Sequence, residues 1–209
     1  MPMMPLAPPL HYLALGDSYT IGESVPAEAR WPAQLVHQLR RSGVMIDEPR
    51  IVSVTGWTTD ELSAGIDGAP LAPRYDLVTL LIGVNDEYRG RPADDYRGAF
   101  AALLQRAIGL ANHRPDHVVV VSIPDWGTTP FARHDARGAA GIAAELDVYN
   151  AIARDQTMHA GAHWVDITSL SRQHPEMIAF DGLHPSAVQY ALWTQAILPA
   201  ARQALTSSR

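Results

Sequence analysis

Five times along this chain a short apolar run is followed by a longer segment of helical character, and that alternation restricts the fold more than any other feature. The runs are Tyr12–Leu15, Ile51–Val54, Leu77–Ile82, Val118–Ile123 and Trp164–Ile167. They are rich in Val, Ile and Leu without strict polar alternation, as expected of strands covered on both faces. The intervening segments predict helices over Pro32–Arg41, Thr59–Ile66, Ala93–Asn112, Ala139–His159 and Ala187–Leu205. Such an order predicts an α/β fold built on a parallel sheet.

Local signals support these boundaries. Pro32 suits a first helical turn, where an N–H would be unpaired in any case. Thr58 with Glu61, and Ser186 with Gln189, have capping-box spacing. In the last helix Trp193, Ile197, Ala201 and Leu205 form one apolar stripe, and Pro199 predicts a kink or an early stop. The longest irregular stretch, Pro124–Gly138, exceeds what a connection needs and is a candidate functional loop. No repeat or linker divides the 209 residues, so a single domain over residues 1–209 is expected, with residues 1–10 as an irregular extension.

In open parallel sheets ligands bind beyond the carboxyl ends of the strands. Reading only those ends gives Gly16-Asp17-Ser18, Thr55-Gly56-Trp57, Gly83-Val84-Asn85-Asp86 and, past the fifth strand, Asp181-Gly182-Leu183-His184-Pro185. Together they offer what acyl transfer requires. A serine hydroxyl needs a base to take its proton, usually a neutral imidazole, and the imidazole needs a carboxylate to orient it. Asp181 and His184 are close enough in sequence to meet across one turn. The developing oxyanion needs preset donors, which the backbone near Ser18 and Gly56 and the Asn85 amide can supply. Asp17 reads as a structural carboxylate bonding nearby backbone, and Asp86 as support for the Asn85 loop.

Composition removes competing chemistry. The chain has no Cys and no Lys, which excludes disulfides, thiolate sites, a Cys nucleophile and Schiff-base formation. A net charge of −6, with scattered arginines, leaves no footprint for a nucleic-acid backbone. No run approaches a membrane span, and the N-terminus lacks the layout of a signal peptide, so a cytoplasmic protein without stable membrane insertion is expected. The nine histidines suggest no metal centre. His113 and His117 straddle Pro115 and a strand start, so they do not share a helix face, and the histidines outside the site are expected at the surface.

The blocks Gly16-Asp17-Ser18, Gly56, Gly83-x-Asn85-Asp86 and Asp181-x-x-His184-Pro185 resemble, in order and separation, the four sequence blocks of the SGNH hydrolase superfamily, the GDSL esterases and lipases. The resemblance spans most of the chain. It implies a flavodoxin-like three-layer α/β/α sandwich with a five-stranded parallel sheet. It also implies Ser18 as nucleophile, His184 as base, Asp181 as third triad member, and Ser18 N–H, Gly56 N–H and Asn85 as the oxyanion hole. Tyr19 stands where the family name expects Leu. The G-x-S-x-G elbow of α/β-hydrolases is absent.

The expected function is a cofactor-free, metal-independent serine esterase acting on a small-molecule ester, with short acyl chains favoured. Thioesterase, lysophospholipase and carbohydrate deacetylase activities belong to the same resemblance. Trp57, Tyr88, Trp126 and Phe131, on or near the loops after strands two to four, are candidate pocket residues. The rival reading is a non-catalytic module binding a small anion or nucleotide at the turn after strand one, but no Gly-rich phosphate motif accompanies it. No sequence feature specifies an oligomer.

Overall fold

The computed structural model describes residues 8–206. The chain forms β1 (Tyr12–Gly16), α1 (Ser18–Ile21), α2 (Trp31–Arg41), β2 (Arg50–Ser53), α3 (Thr59–Gly68), β3 (Leu77–Leu81), α4 (Val84–Tyr88), α5 (Ala93–Leu110), β4 (Val118–Val121), α6 (Gly138–Ala160), β5 (His163–Val165), α7 (Thr168–Gln173) and α8 (Ala187–Thr206). The five strands make one sheet in the order β2-β1-β3-β4-β5, and every pairing is parallel. This is the flavodoxin-like order, whose topological switch lies between β1 and β3. Register aligns Gly16 with Ser53 on one side and Leu81 on the other. The ends of β1, β2 and β3 therefore finish level, and the segments after them open onto one edge.

The hydrophobicity of the strands follows their position. All residues of the inner strands β1, β3 and β4 are buried, whereas the edge strands β2 and β5 retain partly exposed positions. Helices α2 and α8 pack together against one face, and α3, α5 and α6 cover the other. The result is the three-layer α/β/α sandwich expected from the sequence. The stripe on α8 is fully used: Trp193, Ile197, Ala201 and Leu205 are all buried.

Several local expectations need correction. Pro199 neither stops nor shortens α8, which continues to Thr206. The missing N–H costs one hydrogen bond, and burial of the apolar stripe on both sides of the proline outweighs it. The capping box at Thr58 is complete, with reciprocal bonds to Glu61. That at Ser186 is only half made: Ser186 Oγ accepts the Gln189 N–H at 3.3 Å, but the Gln189 side chain donates to the His174 carbonyl instead. The stretch Pro124–Gly138 is not irregular throughout, because it contains 3₁₀ turns over Trp126–Thr128 and Pro130–His134. His117 is buried rather than at the surface, since its short 3₁₀ turn leads directly into β4. Most of the expected N-terminal extension, residues 1–7, lies outside the described residues, while Leu10 already makes a parallel bridge to Ile46. Among the described residues no helix is long and apolar enough to cross a membrane.

Candidate active site

The first turn after β1 carries Ser18. Asp17 caps the four-residue helix α1 by accepting the Tyr19 N–H at 3.0 Å, as expected of a backbone-binding carboxylate. Gly16 must lack a side chain, because a Cβ there would meet Thr20 Oγ1 at 2.2 Å and the Leu81 carbonyl at 2.5 Å. This packing holds the turn against β3. Burial raises the Asp17 carboxyl to about 7, even with the Tyr19 amide lowering it, and its Oδ2 has no hydrogen-bond partner.

Asp181 and His184 lie on a loop closed like a hairpin. Ile178 bridges Pro185, Ala179 N–H donates to the His184 carbonyl at 2.7 Å, and Ser186 N–H donates to the Met177 carbonyl at 3.0 Å. Gly182 takes φ +74° at the bend, a conformation open to glycine without penalty. Within this loop Asp181 Oδ2 meets His184 Nδ1 at 2.6 Å, while Oδ1 accepts the N–H groups of Leu183 and His184 at 2.9 and 3.0 Å. Ser24 Oγ also donates to Asp181 Oδ2, at 2.6 Å. Partial burial opposes ionisation of Asp181, but the hydrogen bonds from Ser24, Leu183 and His184 together lower its carboxyl to about 2. The imidazole is packed edge-on against the Tyr19 ring, with centroids 5.6 Å apart.

Gly83, at φ +127°, follows β3 and is the N-cap of α4; a Cβ there would strike the Tyr96 ring at 2.8 Å. Helix α4 presents Asn85, whose Nδ2 donates to the Trp57 carbonyl at 2.9 Å. The adjacent Asp86 is fully buried. It accepts Thr59 N–H at 3.0 Å and Thr59 Oγ1 at 2.8 Å, anchoring α4 to the start of α3. Gly56 sits at φ +88°, its carbonyl held by Arg89 Nη2 at 2.7 Å. Neither Ser18 N–H nor Gly56 N–H donates to a carbonyl among the turn and cap bonds of the described residues.

Ser18, Gly56, Asn85 and His184 line a single cavity of about 130 Å³, together with Tyr19, Thr55, Val84, Tyr88, Trp126, Phe131 and Leu183. Among the described residues no arginine lines it. Ser18 and His184 are nearly buried at its floor, whereas Tyr88 and Phe131 are half-exposed. Among the described residues no hydrogen bond joins Ser18 Oγ to the imidazole; such bonds are often long without substrate and tighten on binding. Tyr88, Trp126 and Phe131 form an aromatic group, with ring centroids 5.4 to 6.1 Å apart. Trp57, expected in the pocket, does not line it. Its indole lies over Gly65 of α3, where a Cβ would fall 2.2 Å from the ring. Two residues near the site carry no motif in the sequence: Ser24 and Glu87, the latter accepting the Trp126 indole N–H at 2.9 Å. Among the described residues no cluster of three metal-ligating side chains occurs.

Solved structures with the same fold include TesA, 17% identical, TM-score 0.71, covering 93% of this chain and 99% of that one. Another is LAE5, an alpha/beta hydrolase enzyme from the metagenome of Lake Arreo, Spain, 22% identical, TM-score 0.69, covering 95% and 98%. A third is Axe2, an acetylxylan esterase from Geobacillus stearothermophilus, 19% identical, TM-score 0.69, covering 95% and 96%. No curated protein matches the sequence. The GDSL-like Lipase/Acylhydrolase family matches residues 14–192. The chain belongs to that family and is an ester-hydrolysing enzyme.

Proposed function

We propose that the chain is a serine esterase of short-chain carboxylic esters, with Ser18 as nucleophile, His184 as general base and Asp181 as the acid that orients it. The observation that supports this most is the 2.6 Å contact between Asp181 Oδ2 and His184 Nδ1, which leaves His184 Nε2 for the cavity that Ser18, Gly56 and Asn85 also line. Ser18 Oγ attacks the acyl carbon as its proton passes to His184 Nε2. The carbonyl electron pair moves onto oxygen, where the N–H groups of Ser18 and Gly56 and the Asn85 amide stabilise it. Collapse breaks the ester C–O bond, and the departing alkoxide takes the proton from His184. Water, deprotonated by the same imidazole, then attacks the acyl-enzyme and releases the carboxylic acid and free Ser18.

Acyl length is inferred from space. A cavity of about 130 Å³ walled by Trp126, Val84 and Leu183 suits a short acyl group better than an extended fatty chain. Among the described residues no arginine lines the cavity, which disfavours the rival anion- or nucleotide-binding reading.

The test is covalent labelling of wild type and Ser18→Ala with a fluorophosphonate, alongside turnover of p-nitrophenyl esters from acetyl to palmitoyl. Labelling confined to wild type, a kcat loss on the order of 10⁶ in the variant and a preference for short acyl groups are expected. Near-wild-type turnover by Ser18→Ala overturns the mechanism, and a preference for palmitoyl overturns the acyl assignment.

A further inference from the structure

We propose that Ser24 is a positioning residue of the catalytic machinery, holding the Asp181 carboxylate in line with the His184 imidazole; this rests on the triad reading above. Ser24 Oγ and His184 Nδ1 meet the same carboxylate oxygen, Asp181 Oδ2, each at 2.6 Å. The two backbone amides on Oδ1 fix the carboxylate only to its own loop. Ser24 adds a tie to a different part of the chain, the segment that carries the nucleophile. That segment is short and braced: the N–H groups of Gly22 and Glu23 both donate to the Ser18 carbonyl at 3.0 Å. Nucleophile and acid are thus linked through Ser24 across 157 residues of sequence, although no direct hydrogen bond joins Ser18 to His184.

The backbone at Ser24 points the same way independently. Ser24 adopts φ +66°, and among the described residues only Asn112 and His113 share a positive φ without being glycine. A serine in the left-handed region is strained, and glycine would relieve it. Where the cheaper residue is not used, the side chain is the reason to examine, and here that side chain reaches Asp181. The other titratable groups near the pair are Tyr19, whose ring packs on the imidazole, and Tyr190; both lie within electrostatic reach of Asp181 and of Asp17, and Tyr190 also of Glu23. Among the described residues no arginine pairs with Asp181, so the Ser24 hydroxyl is the one side-chain donor besides His184.

The experiment compares Ser24→Gly and Ser24→Ala with wild type, Ser18→Ala, Asp181→Asn and the double variant Ser24→Gly/Asp181→Asn. Readouts are kcat, KM, the pH profile of kcat/KM on p-nitrophenyl acetate, and Tm. Both single Ser24 variants should lose about tenfold in kcat, the scale of one hydrogen bond to a charged group, with KM little changed. Ser24→Gly should melt close to wild type and above Ser24→Ala, because the relieved φ offsets much of the lost hydrogen bond. The acid limb of the profile should move to higher pH, since a carboxylate no longer sharing its charge with a hydroxyl favours the imidazolium. In the Asp181→Asn background, adding Ser24→Gly should cause no further loss. Wild-type kcat in Ser24→Gly, or full additivity with Asp181→Asn, overturns the assignment of Ser24 alone. Retained turnover in Ser18→Ala overturns the triad itself, and Ser24 with it.

Discussion

The indole N–H of Trp126 donates to Glu87 Oε2 at 2.9 Å, tying the short helix that carries Asn85 to the aromatic wall of the cavity. Glu87 is buried, and Arg137 both pairs with it and stacks over the Trp126 ring at 5.3 Å. Arg137 is held in turn by Asp135 and Glu145. One side of the pocket is therefore fixed by a charged lattice behind it rather than by apolar packing alone.

Glu87→Ala leaves the indole and one face of the guanidinium without their acceptor, and should cost about 2–3 kcal/mol in urea unfolding. Glu87→Gln keeps an acceptor for the indole and should cost about 1 kcal/mol. In Glu87→Ala the freed Trp126 should also relax acyl selectivity toward longer p-nitrophenyl esters. A stability loss with an unchanged chain-length profile would show that the wall holds its position without Glu87.

On the proposed mechanism, Asn85→Ala should lower kcat by about 10²–10³ with little change in KM, the scale of one oxyanion donor. Gly56→Ala is a different probe of the same site. A Cβ there meets only open space and the Arg89 guanidinium at 4.0 Å, but φ is +88°. The variant should fold, lose about 1–2 kcal/mol from the strained backbone, and lose proportionally more activity. Circular dichroism melts with parallel kinetics separate the two effects.

Asp17 makes stability depend on pH. Its carboxyl is raised from 3.8 to about 7, chiefly by burial, so the folded state favours the protonated form. The contribution is complete below about pH 4 and is lost as pH rises through 7, up to about 4 kcal/mol for a gap of that size. Glu87, raised from 4.5 to about 7 by burial, acts in the same direction. Asp181 acts in the opposite sense, being lowered to about 2. Its contribution is present above about pH 4 and fades only below that. Asp17→Asn keeps the acceptor for the Tyr19 amide, so its Tm advantage over wild type should grow from pH 5 to pH 8. A constant difference across that range would show that Asp17 ionises normally.

Phe131 is half-exposed at the cavity mouth, and its N–H donates to the Gly182 carbonyl at 3.1 Å. Phe131→Ala removes the ring without disturbing that backbone bond. It should leave Tm nearly unchanged and raise kcat/KM for butyryl and hexanoyl esters relative to acetyl. An identical acyl profile in the variant would place the acyl group elsewhere in the cavity.

The sheet was legible because apolar runs buried on both faces have no other soluble solution, and the long helices because their stripes repeat over several turns. The turns bearing chemistry could be located by rule, at the ends of strands. Helices α1, α4 and α7 were not legible, since four to six residues are too few for periodicity to register. Trp57 was misplaced for a related reason: proximity in sequence to Gly56 says nothing about which side of α3 its indole covers. Ser24 and Glu87 escaped because a lone serine or glutamate acquires meaning only from a partner, and theirs are 157 and 39 residues away. Of the two outcomes open at Pro199, the early stop does not occur, because the buried surface on either side of the proline outweighs its local cost.

The tie between Ser24 and Asp181 carries an implication for biosynthesis. On the proposed triad, a nascent chain released only through β3 carries the Ser18 hydroxyl without Asp181 or His184, and should be inert toward esters. On that triad, hydrolysis therefore waits for the loop that bears Asp181 and His184, with Asp181 157 residues beyond Ser24.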